Sequence, residues 1–269
     1  MYRDTAMRVA LELARKRRPP VSVYFCPSCD AFQPIEAVLQ QSYDTMAAVL
    51  GEGVGVEFVT KGVLPEGFLD LFGRHRGRVS AQVGLTMLDD GLRGLLEPGA
   101  ASVGERLRSI SRLKGVGVSV SVRADPLIHG VTDSDSSLAA LMAACRERAV
   151  TEMAASYLFL RPAVTAGLKR HLADRELLQR ILAPYAEGQR FQLRGGAGGG
   201  LALPQPIRRA GFTRLRQLAA KHGVHVNLCG CKNPDLTAER CHLTRAAAPR
   251  QAASTDQRLL WDARSPSVG

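Results

Sequence analysis

A group of cysteines near the carboxyl end is the strongest chemical signal in the sequence. The segment Cys229-Gly230-Cys231-Lys232-Asn233-Pro234 follows a short apolar run, and Cys241-His242 comes after a brief loop. Two thiolates one residue apart lie close together, and a third thiolate nearby can complete three ligands for a metal. These ligand types suit an auxiliary iron–sulfur cluster, or zinc with His242 or His225 as fourth ligand, and unligated thiols are the alternative. The predicted metal ligands are Cys229, Cys231 and Cys241.

The other three cysteines carry a weaker signal. Cys26-Pro27-Ser28-Cys29 has a Cys-x2-Cys spacing that metal sites use, but no third partner stands at a suitable distance. We interpret Cys26 and Cys29 as thiols at the end of a strand or in the core, with a redox or hydrogen-donor role as the alternative. Cys145 falls on the apolar face of a predicted helix, so we expect it in the core.

Apolar periodicity divides the chain into alternating helices and strands. Helical spacing predicts helices over residues 5–17, 34–50, 66–72, 104–113, 136–148, 166–185 and 207–221. Apolar runs predict strands over residues 21–25, 54–60, 78–85, 116–122, 156–160 and 224–228. The glycine-rich stretch 195–200 resembles a flexible loop. A phosphate-binding loop is not expected there, because no Lys-Ser/Thr follows it and no strong strand precedes it. This alternation predicts an α/β fold with a parallel sheet, either open and doubly wound or a β/α barrel.

Polar residues follow the predicted strands where ligands usually bind. In parallel α/β sheets the binding groups gather at the carboxyl ends of the strands. Asp30 follows the first strand, Lys61 the second and Thr86 the third, and Arg123 and Asp125 follow the fourth. Any single one of these residues can equally cap a helix or face solvent from a loop. Charged or polar residues at four successive strand ends favour a binding site at this edge of the sheet.

Three ordered segments resemble the barrel of radical S-adenosylmethionine (SAM) enzymes of the spore photoproduct lyase kind. Asp-Ala-Phe-Gln-Pro-Ile-Glu over residues 30–36 is similar to a turn that follows a strand in that family. Phe-Val-Thr-Lys over residues 58–61 is similar to its strand-ending Thr-Lys. The third segment joins Gly-Leu-Thr at residues 84–86, Leu-Glu-Pro-Gly at 96–99 and Pro-Leu-Ile-His-Gly-Val-Thr-Asp at 126–133.

The resemblance implies a fold and a cofactor. The fold would be a partial (β/α) TIM-type barrel with an irregular, metal-binding C-terminal extension. The cofactor would be S-adenosyl-L-methionine, whose carboxylate, ammonium, ribose and adenine need a cation and short hydrogen-bonding groups at the barrel mouth. Lys61 and Thr86 fit those needs. Glu97 would lie near the same cofactor or brace its loop, and Asp30 belongs to the same implied set; a carboxylate that only follows a helix is the alternative for Glu97.

The sequence departs from the family at its defining motif. The family holds a catalytic [4Fe–4S] cluster with a Cys-x3-Cys-x2-Cys loop, and that spacing occurs nowhere in this sequence. In the family the loop precedes the segment that begins here near Ala6, together with a first strand and helix. We therefore expect an N-terminally truncated or decayed gene. A complete, active form would also need an electron donor such as flavodoxin or ferredoxin.

Net charge, hydropathy and length indicate the partner, the location and the domain organisation of the chain. The chain of 269 residues has a formal net charge of +11, which favours a polyanion such as nucleic acid as partner, although arginine-rich composition alone can also produce it. No apolar run is long enough to span a membrane, and the first twenty residues do not resemble a secretory signal, so a cytoplasmic location is expected. We predict a partial barrel at residues 1–165, a helical and cysteine-containing region at 166–245, and a disordered tail at 246–269.

Two functions remain open at the level of sequence. The first is a radical SAM enzyme whose complete form cleaves S-adenosylmethionine reductively and abstracts hydrogen from a substrate, with nucleic acid as a candidate. The alternative is a non-catalytic, basic, metal-stabilised nucleic-acid-binding protein.

Overall fold

Six parallel strands form one sheet with helices around it. The computed structural model describes residues 4–25, 29–192 and 198–239. The helices are α1 (Thr5–Arg15), α2 (Glu36–Gly51), α3 (Glu66–Arg74), α4 (Asp90–Leu96), α5 (Val103–Gly115), α6 (Asp135–Glu147), α7 (Pro162–His171), α8 (Arg175–Leu182) and α9 (Gln205–Lys221). The strands are β1 (Ser22–Phe25), β2 (Gly55–Thr60), β3 (Val79–Gly84), β4 (Ser119–Leu127), β5 (Glu152–Tyr157), β6 (Gln189–Gln192), β7 (Gly199–Ala202) and β8 (His225–Leu228).

The strand order in the main sheet is β1-β2-β3-β4-β5-β8, and every neighbouring pair is parallel. β6 and β7 form a separate antiparallel hairpin. Within the described residues the sheet stays open between β1 and β8, which agrees with the predicted partial barrel. The predicted boundary at residue 165 remains a prediction, although β8 joins the same sheet as the strands before it.

The apolar core lies where the central strands meet their helices. Most residues of β3, β4 and β5 are buried, as expected for strands covered on both faces. A smaller apolar cluster packs α7 and α8 against the loop after β4, and it consists of Ile128, Leu172, Leu177, Leu178 and Ile181. That packing places α7 beside the carboxyl ends of the strands.

Side-chain caps fix where several helices begin. Ser102 and Glu105 form a capping box at the start of α5, with each side chain accepting from the other residue's backbone N–H. Asp174 caps α8 by accepting from the backbone of Leu177. These caps satisfy amide groups that the helix itself leaves without partners.

Several predicted boundaries were wrong for identifiable reasons. β4 begins at Ser119 rather than at residue 116, because α5 closes at Val116 and Gly117 then takes a positive φ of 81°. The helix predicted over residues 166–185 is two helices, since Leu172 is extended and α8 needs its own cap. β5 begins at Glu152 rather than at residue 156.

Two elements escaped the sequence prediction altogether. The short helix α4 lies between β3 and α5, where no helix was expected. Part of the glycine-rich stretch is not loop, because Gly199 and Gly200 belong to β7 and pair with β6. Residues 195–197 of that stretch lie outside the described residues, as does the predicted tail at 246–269.

Candidate functional site

A cavity of about 350 Å³ opens at the carboxyl ends of the parallel strands. Its walls come from the ends of β2 to β5, from α4 and α7, and from the turn after β8. The lining residues are Lys61, Met87, Leu96, Glu97, Asp125, Pro126, Ile128, Leu158, Phe159, Arg161, Val164, Leu168 and Lys232. An apolar wall with a few convergent charged groups is the usual form of a small-molecule site.

A larger cleft of about 760 Å³ lies elsewhere, along α9. Its lining comes from α9 and from Asp135 at the start of α6. This cleft is wide open and lies among helices, away from the strand ends. We place the candidate site in the smaller cavity, because charged groups from four strand ends converge there.

At one end of the cavity, a lysine is held by a carboxylate whose side chain is 11% exposed. Lys61, directly after β2, donates from Nζ to Glu97 Oε1 at 2.5 Å. The other oxygen of Glu97 accepts from Arg106 Nη2 at 2.6 Å, and the Arg106 side chain is only 1% exposed. Arg106 also donates to the backbone oxygens of Gly84 and Ala101, so the sheet and the loop before α5 fix its position.

Two features keep Glu97 ionised and the Lys61 side chain in place. Burial of the Glu97 carboxyl opposes ionisation, but the positive charges of Lys61 and Arg106 outweigh it and lower the pKa of Glu97. The Lys61 side chain also lies directly across Gly84 at the end of β3, where a Cβ would come within 2.6 Å of Lys61 Cγ. Only glycine therefore leaves room for this path of the lysine.

Asp30 binds protein groups rather than facing the cavity. Its carboxylate accepts from the backbone N–H of Phe32 at 3.0 Å and from that of Lys61 at 2.7 Å. The Thr60 hydroxyl lies 2.9 Å from both carboxylate oxygens. Asp30 thus ties the turn after β1 to the end of β2, and it positions Lys61 through the backbone. A direct contact of Asp30 with a cofactor stays a prediction.

Thr86 is buried just after β3. Its side chain is 1% exposed, and its hydroxyl has no hydrogen-bond partner among the described residues. A buried hydroxyl without a partner is uncommon and calls for an explanation. Thr86 therefore keeps an unused hydrogen-bonding group close to the strand end that also carries Gly84.

At the other end of the cavity, a second carboxylate lies between two cations. Asp125, near the end of β4, accepts from Arg123 Nη2 at 2.8 Å and from Lys232 Nζ at 2.6 Å. Burial opposes ionisation of Asp125, but Lys232 and Arg123 outweigh it and lower the pKa of this carboxyl. Asp125 precedes Pro126 through a cis peptide bond. Sequence analysis placed Asp125 at a strand end but did not assign its partner Lys232.

The turn after β8 positions Lys232. Asn233 is buried and donates from Nδ2 to the backbone oxygen of Cys229 at 2.9 Å. Arg208 of α9, itself 1% exposed, donates to Asn233 Oδ1 at 3.0 Å and to both carboxylate oxygens of Asp235. These contacts hold the backbone next to Lys232, and the Lys232 ammonium reaches Asp125 on β4.

Cys229 and Cys231 come together at the start of this turn. Their sulfur atoms are 2.8 Å apart, with Cys229 buried and Cys231 exposed. Cys241 and His242 lie outside the described residues, as does Cys26. Among the residues that the structure describes, no group of three His, Cys, Asp or Glu side chains is placed to hold a metal. The metal site with Cys241 therefore stays a prediction.

The remaining sequence signals resolve into structural roles. Cys145 is buried in the core as expected, and burial raises the pKa of its thiol to about 12. Asp133 accepts from the backbone of Gly130 at 2.7 Å and from the Tyr157 hydroxyl at 2.8 Å, so it holds the loop after β4 against β5. Thr132 caps the same loop by accepting from the backbone of Ile128.

Sequence reasoning missed Arg106 and Lys232, the partners of the two cavity carboxylates. Arg106 had only helical spacing to identify it, and its burial was the opposite of what an arginine in a surface helix suggests. Lys232 lies inside the cysteine segment, and only the thiols of that segment were interpreted as functional groups. Its pairing with Asp125 spans 107 residues of sequence, which no local pattern predicts.

Comparison with known proteins agrees with the resemblance seen in the sequence. No family model matches the chain. A radical SAM Nα-GlyT isomerase of Pseudomonas phage M6 is 28% identical over 120 residues, which are 45% of this chain and 25% of that protein. The match thus spans a quarter of the length of this curated relative.

Solved structures of spore photoproduct lyase are similar to this chain in fold. The complex with dinucleoside spore photoproduct has a TM-score of 0.63 at 14% identity, covering 84% of this chain and 67% of that one. A variant with bound AdoMet and dinucleoside spore photoproduct gives the same values. The chain has the α/β fold of radical SAM enzymes of the spore photoproduct lyase kind. Within the described residues, no helix is long and apolar enough to cross a membrane.

Proposed function

We propose that the cavity at the strand ends binds S-adenosylmethionine and that the chain belongs to a radical SAM enzyme. The observation that carries this proposal is the Lys61 ammonium at the cavity wall, which Glu97 holds and which the buried Arg106 supports through the same carboxylate. A cation in that place suits the carboxylate of SAM, and Glu97 suits its ammonium. The similarity in fold to an enzyme with bound AdoMet supports the same ligand.

The residues of the cavity also fit the rest of the ligand. Met87, Leu96 and Ile128 offer an apolar wall for an adenine ring. Thr86 is not among the lining residues, and its unpartnered hydroxyl lies buried just beyond β3. When bound, SAM supplies the sulfonium whose reductive cleavage begins radical chemistry in this family. The chain's own residues bind and orient the molecule.

The residues present do not fit the catalytic [4Fe–4S] cluster. The sequence lacks the Cys-x3-Cys-x2-Cys spacing that leaves one iron open for SAM. Our proposal for these 269 residues is therefore ligand binding. Reductive cleavage is proposed only for a form of the protein that carries those three thiolates and receives electrons from a donor such as flavodoxin or ferredoxin.

Nucleic acid is the substrate class that we propose for such a form. The net charge of +11 favours a polyanion. The similar structures of spore photoproduct lyase hold a dinucleoside spore photoproduct. The non-catalytic nucleic-acid-binding alternative shares this charge but gives no reason for a cavity with charged groups at the strand ends.

We also propose that Cys229, Cys231 and Cys241 bind an auxiliary iron–sulfur cluster or zinc. Support comes from the 2.8 Å approach of the first two sulfur atoms in an anchored turn. Anaerobic reconstitution with iron and sulfide, and separately with zinc, tests this by counting metal per chain. Replacing all three cysteines with alanine should abolish the bound metal, whereas Cys29→Ala should leave it unchanged. Equal metal content in both variants would contradict the proposal.

Isothermal titration of the chain with SAM tests the main proposal. We expect Lys61→Met to weaken SAM binding by about tenfold or more, which is ~1.4 kcal/mol. Lys16→Met is the matched control, because Lys16 forms an exposed ion pair with Glu12 on α1, outside the cavity. Absence of SAM binding by the wild type, or equal affinity in both variants, would refute the proposal.

A further inference from the structure

The two ends of the cavity repeat one arrangement. In each, a carboxylate accepts from one arginine and one lysine: Glu97 from Arg106 and Lys61, and Asp125 from Arg123 and Lys232. Both carboxyl groups have lowered pKa values, so both are ionised at neutral pH. Counted over these three side chains alone, two cations face one anion at each end.

The lysine at each end is the cation that a ligand can recruit. Arg106 and Arg123 are the less exposed partners, with side chains 1% and 16% exposed, against 31% for Lys61 and 23% for Lys232. If either lysine turns to an incoming anion, its carboxylate keeps an arginine. The exchange therefore avoids the large cost of an unpaired buried charge.

SAM can occupy only one such end through its carboxylate, because it carries a single anionic group. From the duplicated arrangement we infer that the Asp125–Lys232 end is a second anion subsite, which takes a phosphate group of the molecule acted upon. This inference rests on the proposed function for the assignment of SAM to the Lys61 end. Arg161 lines the same cavity with an exposed side chain, and it adds the positive charge that a phosphate, rather than a carboxylate, would use.

The anchored turn suits Lys232 to this role. The backbone N–H groups of Lys232 and Asn233 both donate to the Cys229 oxygen, and Arg208 fixes Asn233 from behind. A flexible lysine head on a rigid backbone can move between Asp125 and a ligand without reorganising the turn. The subsite therefore binds a different ligand from the Lys61 end, although both ends combine a carboxylate with one arginine and one lysine.

Titration with thymidine 5′-monophosphate, with thymidine as the phosphate-free control, tests the inference on the full chain with and without saturating SAM. The monophosphate should bind beside SAM, and thymidine should bind at least tenfold more weakly. Lys232→Met should weaken the monophosphate by about tenfold and change SAM affinity by less than threefold. Lys61→Met should do the reverse. Arg161→Met, at an exposed position that leaves the fold intact, should also weaken only the monophosphate.

The outcomes separate this inference from the proposed function. Monophosphate binding that depends on Lys232, in a chain that does not bind SAM, would retain the subsite and overturn the proposed function. SAM binding that depends on Lys61, with monophosphate affinity unchanged in both Lys232→Met and Arg161→Met, would overturn the subsite. Loss of both ligands in each lysine variant, with the far-ultraviolet circular dichroism unchanged, would mean one shared site and would also overturn it.

Discussion

Six charged side chains, two carboxylates and four cations, pair with one another at the strand ends. Asp125 is buried and the Glu97 side chain is only 11% exposed, so each carboxylate would be costly to ionise alone. The neighbouring lysine and arginine make the charged state of each carboxylate favourable. A site that retains buried charge at a cavity wall is better explained by ligand binding than by stability.

Acidification should expose the contribution of Glu97 to stability. Its pKa is lowered in the folded chain from an ordinary value of 4.5, so its stabilising effect is complete above that value and is lost as the pH falls through the folded pKa. Glu97→Gln should lower the free energy of unfolding at pH 7 by about 3–5 kcal/mol, because it leaves Arg106 buried without its anion. Urea unfolding from pH 7 to pH 3 should show this difference shrinking, and a constant difference would contradict the assignment.

Asp30 should be a stability residue as well as a positioning one. Asp30→Asn places an amide donor against the N–H groups of Phe32 and Lys61, which leaves at least one of them without an acceptor. We expect a loss of about 1–3 kcal/mol in urea unfolding. Asp44→Asn is the control, since Asp44 accepts only from Gln40 on the exposed face of α2, and its cost should stay within ~0.5 kcal/mol. Equal costs for the two variants would exclude the bracing role of Asp30.

The sequence identified these individual residues unevenly. Asp30, Lys61, Thr86 and Glu97 were named from motifs that resemble a family, and the structure brings Lys61 and Glu97 into direct contact. Arg106 and Lys232, which complete the ion pairs of Glu97 and Asp125, were not named, because these contacts depend on distances in three dimensions. Nothing within a helical window distinguishes Arg106 from the other basic residues of α5.

Elements were predicted well where apolar periodicity is strong and poorly where backbone geometry decides. The six strands of the sheet, and the helices that alternate with them, follow from the apolar periodicity of the sequence. The break between α7 and α8, the late start of β4 and the β6–β7 hairpin depend on single residues with particular backbone angles. The wrong predictions therefore lie in glycine-rich segments and at helix ends.

The close approach of α9 to β5 should be sensitive to one methyl group. A Cβ on Gly211 would overlap the Tyr157 hydroxyl, which donates to Asp133. Gly211→Ala should lower the free energy of unfolding by about 2–3 kcal/mol. Gly167→Ala in α7 is the matched control, because nothing lies within 4 Å of its Cβ, and it should stabilise by roughly 0.5–1 kcal/mol. Chemical denaturation measures both, and similar effects would contradict this packing.

At the scale of the whole molecule, the parallel sheet explains why distant residues meet. Lys61, Glu97, Asp125 and Lys232 come from four places in the sequence, yet the parallel order brings the ends of β2, β3, β4 and β8 to one edge. The same rule makes the cavity, rather than the wider cleft along α9, the expected ligand site. The sequence could predict that edge, but the choice between two cavities required the structure.

Photoaffinity labelling with a SAM analogue that carries an azide on the adenine ring tests the central claim most directly. Peptide mass spectrometry should locate the adduct on residues that line the cavity, within 87–97, 125–128 or 158–168. An excess of unlabelled SAM should remove the adduct, and Lys61→Met should reduce it. Protectable labelling within residues 205–217, which line the cleft along α9, would contradict the account.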